Sequence, residues 1–160
     1  MDLLEKEGAP NGVQIDRNEN GLITIAVPGM TQVFPPTYTA LDTRLKAMNA
    51  AGVDMQALSL TMPMVYWAPP AFGLKLSQVY NNALITAYQQ YPRRFVGLAS
   101  LPMQAPALAL RELMRIADLP GIHGVYMATH VNGKNLDEKQ FFPIYAKCEE
   151  LGWPLFLHPI

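Results

Sequence analysis

The sequence has 160 residues, of which 50% are hydrophobic and 16% charged, with a formal net charge of -1. That content suffices for one packed core. The balanced charge argues against nucleic acid as a partner, and no apolar run nears the roughly 20 residues that cross a bilayer. The charged start, Met1 to Lys6, leads into no apolar stretch of a secretory leader. A single cysteine, Cys148, has nothing to pair with inside the chain, so a reducing cytoplasmic location is expected. It lies among helical apolar positions and reads as a small buried hydrophobe.

Residues 13–15 and 22–25 are short strand-like runs, and residues 16–21, ending in Asn20-Gly21, form a turn signal between them. A small N-terminal β-hairpin is expected. Pro28-Gly29 and Pro35-Pro36 then break the chain. Residues 1–37 read as a hairpin and loop excursion, and residues 38–160 as a regular domain. Leu41, Leu45 and Met48 recur at helical spacing and Gly52 closes the run. Residues 54–61 read as a strand. Leu76, Tyr80, Leu84, Tyr88 and Tyr91 mark a long amphipathic helix that Pro92 stops. Residues 95–101 form a second strand, residues 106–118 a helix and residues 124–128 a third strand. Phe141, Tyr145 and Cys148 mark the next helix, before Gly152. Residues 155–158 form a fourth strand.

Helices alternating with short apolar strands predict an α/β fold with a parallel sheet. No strand runs into a glycine-rich phosphate loop. Polar residues instead follow several strand ends: Ser59 and Thr61, Ser100, Thr129 and His130, then His158. In a barrel these ends converge on one mouth, so a partial (β/α)8 TIM barrel is expected.

His158 closes the last strand, where an imidazole can serve as a metal ligand or bond to backbone. His130 follows the third strand and can contact a substrate carboxylate, or close the turn that contains it. His123 falls at the opposite end, as do Arg93 and Arg94. Met62, Met64, Tyr66 and Trp67 share a proline-rich loop. They can wall a pocket for an aromatic or dienoic acid, or pack on the following helix.

In order, the residues named so far resemble the amidohydrolase-related superfamily, in the decarboxylase branch typified by aminocarboxymuconate-semialdehyde decarboxylase. The likeness is carried by Arg44-Leu45 and Gly52-Val53-Asp54, by Asn81-Asn82, and by Pro92-Arg93-Arg94-Phe95-Val96-Gly97. It continues through Thr129-His130-Val131-Asn132, Leu136-Asp137, Phe142-Pro143-Ile144-Tyr145 and Leu157-His158-Pro159-Ile160. The resemblance implies that the four strands are strands two to five of an eight-stranded barrel. It implies a mononuclear site for one divalent metal ion, expected as Zn²⁺, with His158 as a ligand. The co-ligands, an HxH motif on strand one and residues of later strands, are expected outside this chain, leaving it inactive alone. His130 is implied as a catalytic contact, and Met64, Tyr66, Trp67 and Asn132 as substrate-binding residues. The implied partner is a small-molecule carboxylic acid, with a homodimer allowed and neither nucleic acid nor membrane involved. The expected reaction is non-oxidative decarboxylation of an unsaturated or aromatic acid. Two alternatives stay open: a metal-dependent hydrolase of lactones, esters or amides, and a non-catalytic structural or interaction protein.

Overall fold

A computed structural model describes residues 1–62 and 64–159; Pro63 and Ile160, and the side chains of Thr37 and Thr39, lie outside the description. The chain divides into two compact units, Met1–Gln56 and Ala57–Ile160.

The first unit opens with a helix, α1 (Asp2–Glu7), which the sequence reading did not anticipate. Three strands follow: β1 (Gln14–Arg17), β2 (Ile23–Val27) and β3 (Met30–Phe34). They form an antiparallel sheet in chain order. The expected hairpin is therefore a three-stranded meander. The β1–β2 connection folds around Asn18, whose Oδ1 accepts from the backbone N–H of Asn20 and of Leu22, both at 3.0 Å. Pro28-Gly29 does not break the chain. It is the two-residue turn of a second hairpin, with Val27 paired to Met30. The short helix α2 (Pro36–Thr39) and helix α3 (Leu41–Ala50) complete the unit.

The main sheet has the order β4 (Gln56–Leu58), β5 (Phe95–Ala99), β6 (Ile122–Ala128) and β9 (Leu155–His158). The β5–β6 and β6–β9 pairs are parallel. Three helices make the crossovers: α4 (Pro70–Gln90), α5 (Pro106–Ile116) and α6 (Phe142–Leu151). A two-stranded ribbon, β7 (His130–Val131) and β8 (Lys134–Asn135), leaves the end of β6. The α/β fold with a parallel sheet is thus present. Several boundaries differ from the sequence reading by a few residues: β5 ends at Ala99, α5 at Ile116, and β6 starts at Ile122, so His123 lies inside that strand. Helix α4 starts at Pro70, because a proline at the first helical position costs no hydrogen bond and Phe72 and Leu74 already bury there. The first strand of this sheet ends at Leu58, three residues before the run of apolar and small residues does.

Alternation decides which residues face the helices. Ala99, Val125 and Met127 join Leu113, Ile116, Ile144 and Cys148 in one buried cluster. Each large aliphatic side chain buried in this way contributes about 1.5–3 kcal/mol.

A polar knot ties the crossovers to the strand ends. Asn81, on α4, is fully buried. Its Oδ1 accepts from Ser100 N at 2.9 Å and its Nδ2 donates to Ser100 O at 3.0 Å. The same Nδ2 donates to Oε1 of the buried Glu112, on α5, at 2.8 Å. Arg115 grips Glu112 through Nε and Nη2 at 2.7 and 2.8 Å, and that bond holds the guanidinium above its usual pKa. The Asn81 side chain imitates a strand neighbour and fixes Ser100, just past the end of β5. Among the described residues no helix is long and apolar enough to cross a membrane.

Candidate active site

Strands β6 and β9 end together. Ala128 is the register partner of His158, and Thr129 N donates to His158 O at 3.0 Å. The half-buried His158 ring lies edge-on to Tyr126, with centroids 5.8 Å apart. His158 Nδ1 sits 2.7 Å from the Pro159 carbonyl oxygen. A carbonyl offers no proton, so Nδ1 carries the hydrogen and donates it. In the neutral ring this leaves the Nε2 lone pair free, the arrangement in which a histidine binds a metal while its other nitrogen is anchored.

The loop after β4 comes to the same end of the sheet. Tyr66 is buried, 7% exposed, and its hydroxyl accepts from Ala128 N at 3.4 Å. Burial pushes the phenol well above its ordinary pKa, so it stays protonated. Trp67 Nε1 donates to Met64 O at 3.1 Å, and its ring meets Phe72 edge-on. Met64 is buried with φ at 49°, in the left-handed region that a methionine adopts rarely.

The ribbon supplies the third side. Asn132 and Gly133 have φ of 51° and 80°. Both positions of a tight two-residue hairpin turn require such values, which explains the Asn-Gly pair. The Asn132 Nδ2 donates to Tyr66 O at 2.8 Å. Gly133 N donates to His130 Nδ1 at 3.3 Å, so the neutral His130 ring carries its proton on Nε2.

Tyr66, Asn132 and His158 are thus linked through Ala128 and the Tyr66 backbone, and His130 stands at the root of the ribbon. Met64 and Tyr66 belong to the buried cluster, and Trp67 is half-buried. His123 is exposed and meets Tyr88 edge-on. Sequence reasoning missed Gln104, which reaches this loop from beyond β5. No spacing rule marks such a residue, because its partners lie 39 and 36 positions away.

His158 Nε2 has the right character for a divalent ion. Among the described residues no group of three or more His, Cys, Asp or Glu side chains converges, while protein metal sites ordinarily use three or four ligands. Among the described residues His158 is a single suitable donor and not part of a set.

Comparisons with known proteins give relatives over about three quarters of this chain. One curated relative is the 2-amino-3-carboxymuconate-6-semialdehyde decarboxylase of Dictyostelium discoideum, 42% identical over 74% of this chain and 33% of that protein. Among solved structures, 5-carboxyvanillate decarboxylase from Novosphingobium aromaticivorans matches with a TM-score of 0.70 and 35% identity, over 73% of this chain and 34% of that one. It holds manganese and a nitrobenzoic acid, 4-hydroxy-3-methoxy-5-nitrobenzoic acid. The 2,6-dihydroxybenzoate decarboxylase from Rhizobium matches with a TM-score of 0.68 and 31% identity, over 74% and 39%. The chain therefore spans between about a third and two fifths of the length of these relatives. The expectation of zinc in particular gains nothing from them, since the ion in the carboxyvanillate enzyme is manganese. The family described as Amidohydrolase matches residues 26–159, a stretch that contains every strand end just described, and the chain belongs to that family.

Proposed function

We propose that the protein is a metal-dependent, non-oxidative decarboxylase of an aromatic or unsaturated carboxylic acid. In this reading residues 38–160 supply strands two to five of a (β/α)8 barrel, with residues 1–37 as an excursion before them. The observation that carries the reading is His158: it ends β9, it is register partner to Ala128, and its Nδ1 is bonded to the Pro159 carbonyl. That leaves Nε2 to hold one divalent ion. The ion, when bound, supplies Lewis-acid charge for the oxygens of an acidic substrate. Manganese is the first ion to try, because a similar decarboxylase holds it, and zinc is the second.

The rest of the work falls to this chain's own residues. His130 presents Nε2–H, which can donate to a substrate carboxylate or hold the proton destined for the carbon that loses CO₂. Asn132 and Tyr66 frame the mouth. Half-buried Trp67 gives it an aromatic wall suited to a ring or a diene, and Met64, buried in the core, supports that loop from within. The partner is a small carboxylic acid. A homodimer and a cytoplasmic setting complete the reading, the latter in keeping with the one unpaired thiol.

A second reading is supported by the family description itself: a hydrolase on the same barrel. One assay separates the two. The full-length protein to which these residues are proposed to belong, supplied with manganese or zinc, is given 2,6-dihydroxybenzoate, 5-carboxyvanillate and aminocarboxymuconate semialdehyde beside a panel of lactones. CO₂ release from one of the acids is the expected result. Lactone opening without CO₂ release would replace the lyase reading with the hydrolase.

A further inference from the structure

One side chain holds the loop after β4 from outside. Gln104 follows the end of β5, and its Nε2 donates to Val65 O at 2.8 Å and to Ala68 O at 2.9 Å. Both amide hydrogens are spent on backbone carbonyls on either side of Tyr66 and Trp67. Two carbonyl acceptors also decide which end of the carboxamide is nitrogen, because an oxygen there would face two oxygens. The other end, Oε1, is buried with no hydrogen-bond partner among the described residues. Native proteins keep few such groups. Helix α4 makes room for the amide: a Cβ on Gly73 would overlap Gln104 Nε2 and push it off its carbonyls.

The consequence lies at Ala128. Strand β5 ends at Ala99, whose partner on β6 is Val125. The N–H of Ala128 falls beyond that ladder and needs another acceptor. The Tyr66 hydroxyl serves, and the Tyr66 carbonyl in turn receives Asn132 Nδ2. Both contacts depend on where residues 65–68 sit. We infer that Gln104 is a positioning residue: it clamps this segment so that Tyr66 fixes the end of β6 beside His158 and anchors the ribbon that carries His130. The inference rests on the reading of these strand ends as the active site.

Hydrogen exchange and tyrosine titration on the 160-residue chain test it. The variants are Gln104→Glu, Gln104→Asn, Tyr66→Phe and the Gln104→Glu/Tyr66→Phe double. Glutamate puts carboxylate oxygens against two carbonyls, and asparagine keeps the amide but falls one methylene short. In both, the amides of residues 64–68 and of Ala128 exchange at least about tenfold faster, while the core amides of β6 and α6 keep their protection. The phenol that resists ionisation in the parent joins the ordinary tyrosines at about pH 10. Tyr66→Phe speeds Ala128 alone, and the double variant adds nothing further at Ala128. Unchanged exchange at Ala128 with an unchanged phenol titration in the Gln104 variants would overturn the inference. So would loss of the whole fold in both, which would make Gln104 a general packing residue. None of these readouts uses turnover, so inactivity of a full-length protein that contains this chain would refute the decarboxylase reading and leave this result standing.

Discussion

His158 shows how one short contact decides the chemistry a side chain can offer. A hydrogen bond from Nδ1 to the neighbouring carbonyl fixes the tautomer and presents Nε2. His158→Ala is expected to lower metal-dependent turnover of the active protein by at least about 100-fold. It should cost little stability, since the residue is only half-buried at the end of β9. A thermal melt beside the rate measurement checks both parts. Cys148 makes the opposite case. Its thiol is 2% exposed, and burial pushes its pKa from 9.0 up to about 11. The folded state thus holds this proton more tightly than the unfolded chain. The stabilisation is fully present below about pH 9 and is lost as pH climbs through about 11. A disulfide reagent at pH 8 should therefore label the native protein about 100-fold more slowly than the denatured one. Equal rates would mean that the thiol is not buried. Both residues were legible in the sequence, because strand-end position and helical periodicity are local. The burial of Tyr66 was not, because a loop aromatic shows no period that says which way it turns.

At the scale of elements, two polar devices hold the strand ends. The Asn81–Glu112–Arg115 knot spends its bonds on Ser100, on each other and, through Arg115 Nη2, on Asn82 Oδ1. Asn81→Ala strands two backbone groups of Ser100 and one carboxylate contact in a dry place, for a loss of about 3 kcal/mol. Chemical denaturation measures this as a lower midpoint at unchanged slope. The ribbon turn is the second device. Gly133→Ala meets a φ of 80° and should cost about 1–2 kcal/mol, with the greatest gain in hydrogen exchange confined to β7 and β8. An exchange gain spread over the whole sheet would mean the ribbon is integral to the core. Helices α4, α5 and α6 were readable from spacing, and Asn81-Asn82 stood out as a motif without a role. The role appears only when residues 19 and 31 positions apart meet. Pro28-Gly29 was misread for a different reason. The same dipeptide signals an interruption or a hairpin turn, and the decision belongs to the strand pairing across it.

At the scale of the molecule, a parallel sheet brings its strand ends to one side by construction. That is why a fold inferred from alternating periods located His130 and His158 correctly relative to β6 and β9, while side-chain contacts between distant loops stayed invisible. The same scale limits what the chain does by itself. Among the described residues His158 has no co-ligand set, and one donor binds a divalent ion weakly. Calorimetry on the 160 residues with manganese should give no site tighter than about the millimolar range, whereas a micromolar site would mean that ligands beyond His158 are present. The most direct test of the central claim uses carboxyl-labelled aromatic acids and the active protein. Labelled CO₂ is followed with manganese, after chelation, after metal is restored, and in His158→Ala. The account predicts release that disappears on chelation, returns with the metal and is lost in His158→Ala. Release that is indifferent to both the metal and His158 would contradict it.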